Sequence, residues 1–164
     1  MSKEISQELV NSVAREIAEF QNAAGLVDEA VAQRMGINLT DLRCLGLLLR
    51  QGAMGAGQLA TAIELSPGAM TAALDRLERL EYIVRVRSST DRRGVIVEVT
   101  PTAYQLLEAC YGPLGLEGLA QLEQYSAAEL TLLRDFLRQG RELQMRHAAR
   151  IRSRDGVPPL NDHP

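Results

Sequence analysis

The side chains that could act chemically in this sequence are mostly arginines, and they are concentrated in two stretches. Lys3 is the only lysine, so nearly every fixed positive charge is a guanidinium. Four arginines between positions 85 and 93 stand against one acid, Asp91. Guanidinium groups bind phosphate oxygens through forked hydrogen bonds. This stretch therefore predicts contact with nucleic acid, although the net charge is −3. The second stretch, 134–154, is expected to be a solvated face that offsets an acidic N-terminal helix across a dimer interface.

Nucleophiles, bases and metal ligands form no catalytic pattern in the sequence. His163 lies in the C-terminal tail, and His147 lies near the end of the last predicted helix, where solvation or capping explains it. Cys44 and Cys110 have apolar neighbours and are expected to be small buried hydrophobic residues. A redox-sensitive thiol is the alternative for these cysteines. With no metal-ligand cluster and no phosphate-binding glycine loop, we expect neither an enzyme nor a cofactor or metal site.

Length and composition are those of an ordinary soluble domain. The chain has 164 residues, of which 46% are hydrophobic and 24% are charged. No stretch approaches the roughly 18 uninterrupted apolar residues of a membrane span. The N-terminal residues carry acids and lack the apolar run of a signal peptide. We therefore expect a cytoplasmic protein with no membrane partner.

The spacing of apolar residues predicts a mainly α fold with a small β element (α+β). From Ile5 to Met35 apolar residues recur every three or four positions, which predicts one helix from about Lys3 to Met35, ended by Gly36. Short helices follow at 41–52, 56–64 and 67–81, and the last begins at a Ser66–Pro67 cap. The residues of this last helix that should face inward are Met70, Ala73, Leu74, Leu77 and Leu80.

Two β-branched segments interrupt the helical period. Residues 82–87 and 95–99 predict a two-stranded hairpin, and the polar residues 88–94 form its turn. Thr100–Pro101 then starts another helix, in which Gly112–Pro113 predicts a kink. Ser126 and Glu129 form a capping box that opens a last long helix, which runs to about Ile151.

Three short helices followed by a charged hairpin describe a winged helix-turn-helix. Its third helix would enter the major groove of DNA with its N-terminal end first. The outward residues at that end are small, so the backbone can approach the bases closely. Thr71 can offer a hydroxyl to a base edge or a methyl group to thymine. Arg76 and Arg79 lie later on the same helix and suit contact with phosphates.

The hairpin tip predicts a second contact with DNA. Arg92 and Arg93 suit a narrow minor groove, whose negative potential attracts guanidinium groups. Asp91 is assigned a structural role, because a carboxylate can hold a neighbouring arginine by a forked ion pair. The complete set of predicted DNA-binding residues is Pro67, Gly68, Ala69, Thr71, Ala72, Arg76, Arg79, Arg92 and Arg93.

Several of these motifs resemble those of the MarR family of bacterial transcription regulators. The resemblance lies in Leu59–Ala60, in Ser66-Pro67-Gly68, in Leu77–Glu78 and above all in the run from Asp91 to Thr100. It covers nearly the whole chain and implies a repressor with long N- and C-terminal helices that form a dimer. It implies that Asp91 and Arg93 are the signature pair of the wing tip. It also implies a small aromatic or anionic effector, expected here between the first helix, the Cys44 helix and the Ala103 helix.

The length of the first apolar stripe favours a dimer. The stripe spans roughly 45 Å at about 1.5 Å per residue, which is longer than one small domain can cover. We expect 1–38 and 101–152 to form a helical dimerisation region, 39–100 to be the DNA-binding domain, and 153–164 to be a flexible tail. A twofold homodimer implies a palindromic operator.

A winged helix that only contacts other proteins, without specific DNA binding, is the alternative function. It would present apolar residues on the outward face of the 67–81 helix, where the sequence has small and polar residues.

Overall fold

A computed structural model of the chain describes residues 6–87 and 95–153. The chain divides into two compact units, residues 1–113 and 114–164. Within the described residues the elements follow in the order α1 (Gln7–Met35), α2 (Leu39–Gln51), β1 (Met54–Gly55), α3 (Ala56–Ile63), α4 (Pro67–Arg79), β2 (Ile83–Arg87), β3 (Val95–Val99), α5 (Pro101–Leu122) and α6 (Ala127–Arg152). This is the winged helix architecture that the sequence predicted.

Local capping signals set the helix ends. Gly36 adopts φ 68° after α1, a left-handed conformation that glycine reaches without steric cost. The amide of Asp41 donates to Oδ1 of Asn38 over 2.9 Å and caps α2. The predicted long first helix is confirmed as far as Met35, whereas its predicted start at Lys3 lies outside the described residues.

The sheet has one more strand than the sequence predicted. Its strand order is β1-β3-β2, and both pairings are antiparallel. β2 pairs with β3 from Ile83↔Val99 to Arg87↔Val95, as expected for the hairpin. The short β1 adds Met54↔Val97 on the other edge of β3. Two residues show no alternation of apolar and polar side chains, so this strand could not be recognised before its distant partner was in place.

The hydrophobic core lies where α2, α3 and α4 pack against the sheet and the last turn of α1. Its fully buried members include Leu45, Leu59, Leu74 and Leu77. The prediction that Leu80 faces inward was wrong, because Leu80 is 41% exposed. The backbone turns at Glu81, whose φ is 58°, and the next strand then inserts Ile83 into the core instead.

Cys44 is part of this core. Its side chain is fully buried. Burial raises the pKa of the Cys44 thiol to about 11, and the nearby carboxylate of Asp41 contributes to the same shift. A thiol held in its protonated form is a poor nucleophile. The structure therefore agrees with the expectation that Cys44 is a small buried hydrophobic residue.

The C-terminal helices leave most of their apolar side chains exposed. α5 continues as one helix through Pro113. α6 begins at the predicted capping box, in which the Ser126 amide donates to Glu129 over 2.8 Å, and it has no buried residue. Over the described part of the chain, no helix is long and apolar enough to cross a membrane.

Candidate nucleic-acid interface

The N-terminal end of α4 is held in place by a cap and by the core. Oγ of Ser66 accepts from the Ala69 amide over 3.3 Å, and Pro67 occupies the first helical position, where no backbone donor is needed. Glu64 reverses the chain before the cap with φ 59°. On its inner side α4 buries Met70, Ala73, Leu74 and Leu77. The opposite side of the helix therefore has a fixed orientation toward solvent.

The outward side of the first two turns of α4 is smooth and exposed. Every small residue that the sequence assigned to DNA contact lies there in an exposed position: Pro67, Gly68, Ala69, Thr71 and Ala72. A Cβ added at Gly68 would meet no atom within 4 Å, so nothing inside the protein requires glycine at this position. The absence of a side chain leaves the backbone itself open to a partner.

Thr71 already uses its hydroxyl proton within the helix. Its Oγ1 donates to the carbonyl of Pro67 over 3.0 Å. The oxygen lone pairs and the methyl group remain free on the exposed side. A base could therefore donate to this oxygen, or a thymine methyl could pack against the side chain.

Arg76 is engaged in an ion pair that the sequence did not indicate. Its Nε and Nη2 donate to Oδ2 and Oδ1 of Asp41 on α2 over 3.0 and 2.7 Å. Asp41 is 1% exposed, whereas the Arg76 side chain is 40% exposed. The hydrogen bond to Asp41 raises the pKa of Arg76 above its usual value. The prediction that Arg76 contacts phosphate stays untested, but two of its donors have a partner inside the protein.

Arg79 and Arg85 differ in whether an acid of the protein pairs with them. Arg79 is exposed at the end of α4, and within the described residues it has no ion-pair partner. Arg85 on β2 instead donates to Asp75 over 2.7 Å and also to Glu78, both on α4. Arg85 thereby offsets two acids on the helix that is predicted to approach DNA. Of the two, only Arg79 is free to bind phosphate.

The base of the wing is tied to the helices around it. The Tyr82 hydroxyl donates to the carbonyl of Met35 at the end of α1 over 3.0 Å. Oγ1 of Thr100 donates to the carbonyl of Glu81 over 2.7 Å, and the Thr100 amide donates to the carbonyl of Tyr82 over 3.0 Å. These bonds join the end of α1, the end of α4, both wing strands and the start of α5. The predicted tip residues Asp91, Arg92 and Arg93 lie outside the described residues.

A cavity of about 640 Å³ lies between α1, α2 and α5, where the sequence led us to expect an effector cleft. Its walls are partly apolar and carry charges of both signs. The Tyr111 hydroxyl donates to Oδ1 of Asp28 over 2.6 Å at this cavity, and burial together with this bond raises the pKa of Tyr111 above its usual value. Its lining includes Asp28, Leu42, Arg43, Arg50, Leu107 and Tyr111.

Comparison with known proteins finds similarity to the MarR family over part of the chain. Residues 37–95 match the model of the MarR family. The HTH-type transcriptional regulator YcgE of Bacillus subtilis is 29% identical over 127 residues, which cover 77% of this chain and 82% of YcgE. YcgE is by its name a transcriptional regulator, which agrees with the expectation that the chain is not an enzyme.

Two solved structures share the fold. A MarR family protein from Bacillus stearothermophilus superposes with a TM-score of 0.64 at 18% identity, covering 86% of this chain and 99% of that protein. The S. aureus MepR–DNA complex superposes with a TM-score of 0.59 at 17% identity, covering 80% of this chain and 98% of MepR. At such identities the superpositions establish the winged helix fold.

Proposed function

We propose that the chain is a DNA-binding transcriptional regulator of the MarR family, and that it is a homodimeric repressor of a palindromic operator, released by a small aromatic or anionic ligand. The observation that carries the proposal is the N-terminal end of α4. There a rigidly held helix presents small exposed residues and an open backbone at Gly68. Such a surface suits close approach to base edges in the major groove. The MepR structure of the same fold is a complex with DNA.

The proposed contacts divide into two kinds. The first turns of α4 read base edges, whereas Arg79 and the wing-tip residues Arg92 and Arg93 bind the backbone and the adjacent minor groove. Asp91 orients an arginine at the tip. Arg76 lies on the same helix and is paired with Asp41 of α2.

Selection from a pool of random-sequence duplexes tests specific DNA binding. The wild-type protein should enrich an inverted repeat with half-sites about one helical turn apart. Arg93→Ala should weaken binding to the selected duplex, because it removes a wing contact. Arg150→Ala, at the far end of α6, is the matched control and should bind as the wild type does. A protein that enriches no sequence, even at low salt, would support the protein-contact alternative.

The homodimer is proposed from apolar side chains that the chain does not cover. On α1, Leu9 and Phe20 are 63% and 70% exposed. In the unit formed by 114–164, Leu116 of α5 and Leu132 of α6 are 71% and 70% exposed. Exposed apolar surface of this extent marks an interaction site in a soluble protein. We propose a second copy of the chain as the partner, because most symmetric assemblies of soluble proteins are twofold dimers.

Light scattering at several protein concentrations tests the dimer. The wild-type protein should have twice the mass of one chain, and Phe20→Lys should shift the equilibrium toward the monomer. Because Phe20 is exposed within the chain, this variant should keep its helical circular dichroism. Gln21→Lys adds the same charge at the next position and controls for charge alone. A wild-type monomer at all concentrations would exclude the dimer and, with it, the palindromic operator.

The ligand is proposed from the cavity between α1, α2 and α5. Leu42 and Leu107 give it an apolar wall, while Arg43 and Arg50 can pair with an anionic group. A panel of phenolic carboxylates should contain members that raise the melting temperature and release the operator. Arg43→Gln should weaken this effect and leave operator binding without ligand unchanged. If no member of the panel changes either quantity, ligand control is excluded while DNA binding stands.

A further inference from the structure

Asp41 and Arg76 form a forked ion pair that joins α2 to the last turn of α4. Both carboxylate oxygens are used, by Nε and Nη2 of the arginine. The carboxylate is 1% exposed, and the described residues contain no buried side-chain polar atom without a partner. A planar fork fixes direction as well as distance. This pair therefore constrains both the position and the rotation of α4 relative to α2.

The pair also changes what Arg76 can do for DNA. A guanidinium that gives two of its five donors to a buried carboxylate has its plane fixed by that carboxylate and its charge partly offset. Arg79, one turn later, is exposed and without an ion-pair partner among the described residues. The two arginines are equivalent in sequence terms, but Arg76 has two of its five donors in the ion pair, whereas Arg79 has none in an ion pair with the described residues.

We propose that Asp41 and Arg76 are positioning residues for DNA recognition, which hold α4 in the orientation that reads bases and do not themselves neutralise phosphate. The proposal rests on the proposed role of α4 in base reading. It gives Asp41, a buried acid on α2, a part in the sequence selectivity of α4. It also predicts that removing the charge of Asp41 weakens specific DNA binding, whereas net charge alone would predict tighter binding.

The sign of the Asp41→Asn effect is the first test. Removing a negative charge from a DNA-binding segment should tighten binding if charge alone mattered. We expect the opposite for the duplex that the wild type selects, with binding weakened roughly tenfold to a hundredfold, the scale of one lost base contact. Binding to a scrambled duplex of equal length should not weaken, so the specificity ratio falls. Glu81→Gln removes the same charge at an exposed position without touching the pair, and it should not weaken binding to either duplex.

The salt dependence of binding is the second test. A lost phosphate contact makes the slope of log K against log salt shallower by about 0.9. Arg76→Gln should lower affinity for the selected duplex and leave this slope unchanged. Arg79→Gln should make the slope shallower and weaken binding to both duplexes alike. Because Arg76→Gln and Asp41→Asn break one pair, the double variant should lose little more than either single variant.

The fold of each variant is checked by circular dichroism and urea denaturation before binding is measured. If Asp41→Asn does not fold, Arg76→Lys replaces it, since lysine keeps the charge but cannot form the fork. A shallower slope for Arg76→Gln, with unchanged or tighter binding by Asp41→Asn, would overturn the proposal and establish Arg76 as a phosphate contact. Failure of the wild type to select any duplex would instead refute the proposed function.

Discussion

Gly68 gives a test in which stability and DNA affinity should change in opposite directions. It is the second residue of α4, its φ is not positive, and an added Cβ would meet no atom within 4 Å. Gly68→Ala should therefore stabilise the fold by about 0.5–1 kcal/mol, because alanine restricts the unfolded chain and favours helix. The same methyl group would stand between the α4 backbone and the bases. We expect affinity for the selected duplex to fall by about 1–3 kcal/mol, the worth of one good base contact.

Gly57 is a matched control for this substitution. It is the second residue of α3, it is exposed, and a Cβ there would also meet nothing within 4 Å. Gly57→Ala should gain similar stability in urea denaturation but should keep its affinity in fluorescence anisotropy titrations. The difference between the two variants isolates the approach of α4 to DNA from the general effect of adding alanine to a helix.

Two results would refute this reasoning. If Gly68→Ala binds the selected duplex as tightly as the wild type, the start of α4 does not lie against base edges. If Gly68→Ala loses stability while Gly57→Ala gains it, the space around Gly68 is occupied in solution by something that the chain alone does not show.

Three further predictions concern the core and the recognition helix. Leu77→Ala should cost about 2–5 kcal/mol of unfolding free energy in urea, because Leu77 is fully buried; a loss as small as that of Leu80→Ala, at an exposed position, would contradict the core described here. The pKa of Cys44, raised by burial from 9.0 to about 11, predicts that unfolding free energy falls as pH rises from 9 toward 11, because the unfolded chain loses the thiol proton first. Cys44→Ala should remove that part of the slope in denaturation curves, and an unchanged slope would assign it to other groups. Thr71→Val keeps the methyl group and Thr71→Ser keeps the hydroxyl, which can only accept from a base because its proton is donated to the Pro67 carbonyl. We expect the methyl group to make the contact, so the valine variant should bind the selected duplex more tightly than the serine variant; the reverse order would show that the hydroxyl accepts from a base.

Features set by neighbours in sequence were predictable. The cap at Ser66, the left-handed glycine at Gly36 and the capping box at Ser126 depend on residues within one helical turn, so their signals are local. The alternation in 95–99 gave the bounds of β3 for the same reason. The exposed position of each small residue at the start of α4 followed from helical period.

Features set by distant partners were not predictable. The third strand at Met54 exists because β3 offers it a free edge, and nothing in two residues reveals that. Arg76 and Arg79 look alike in the sequence, and only the approach of Asp41, 35 residues earlier, separates their roles. For Arg85 a signal was present, because Asp75 and Glu78 are three residues apart and lie on one face of α4. A single sequence does not show which strand residue meets that face.

The hydrogen bond of the Tyr82 hydroxyl has a consequence for how a movement of α1 affects the wing. This bond joins the base of the wing to the Met35 carbonyl at the end of α1. The neighbouring hydrogen bonds of Thr100 join the same base to the start of α5. A tilt of α1 must therefore either break this bond or carry the wing with it. Substitutions in the last turn of α1 should then alter the proposed contact of the wing with DNA.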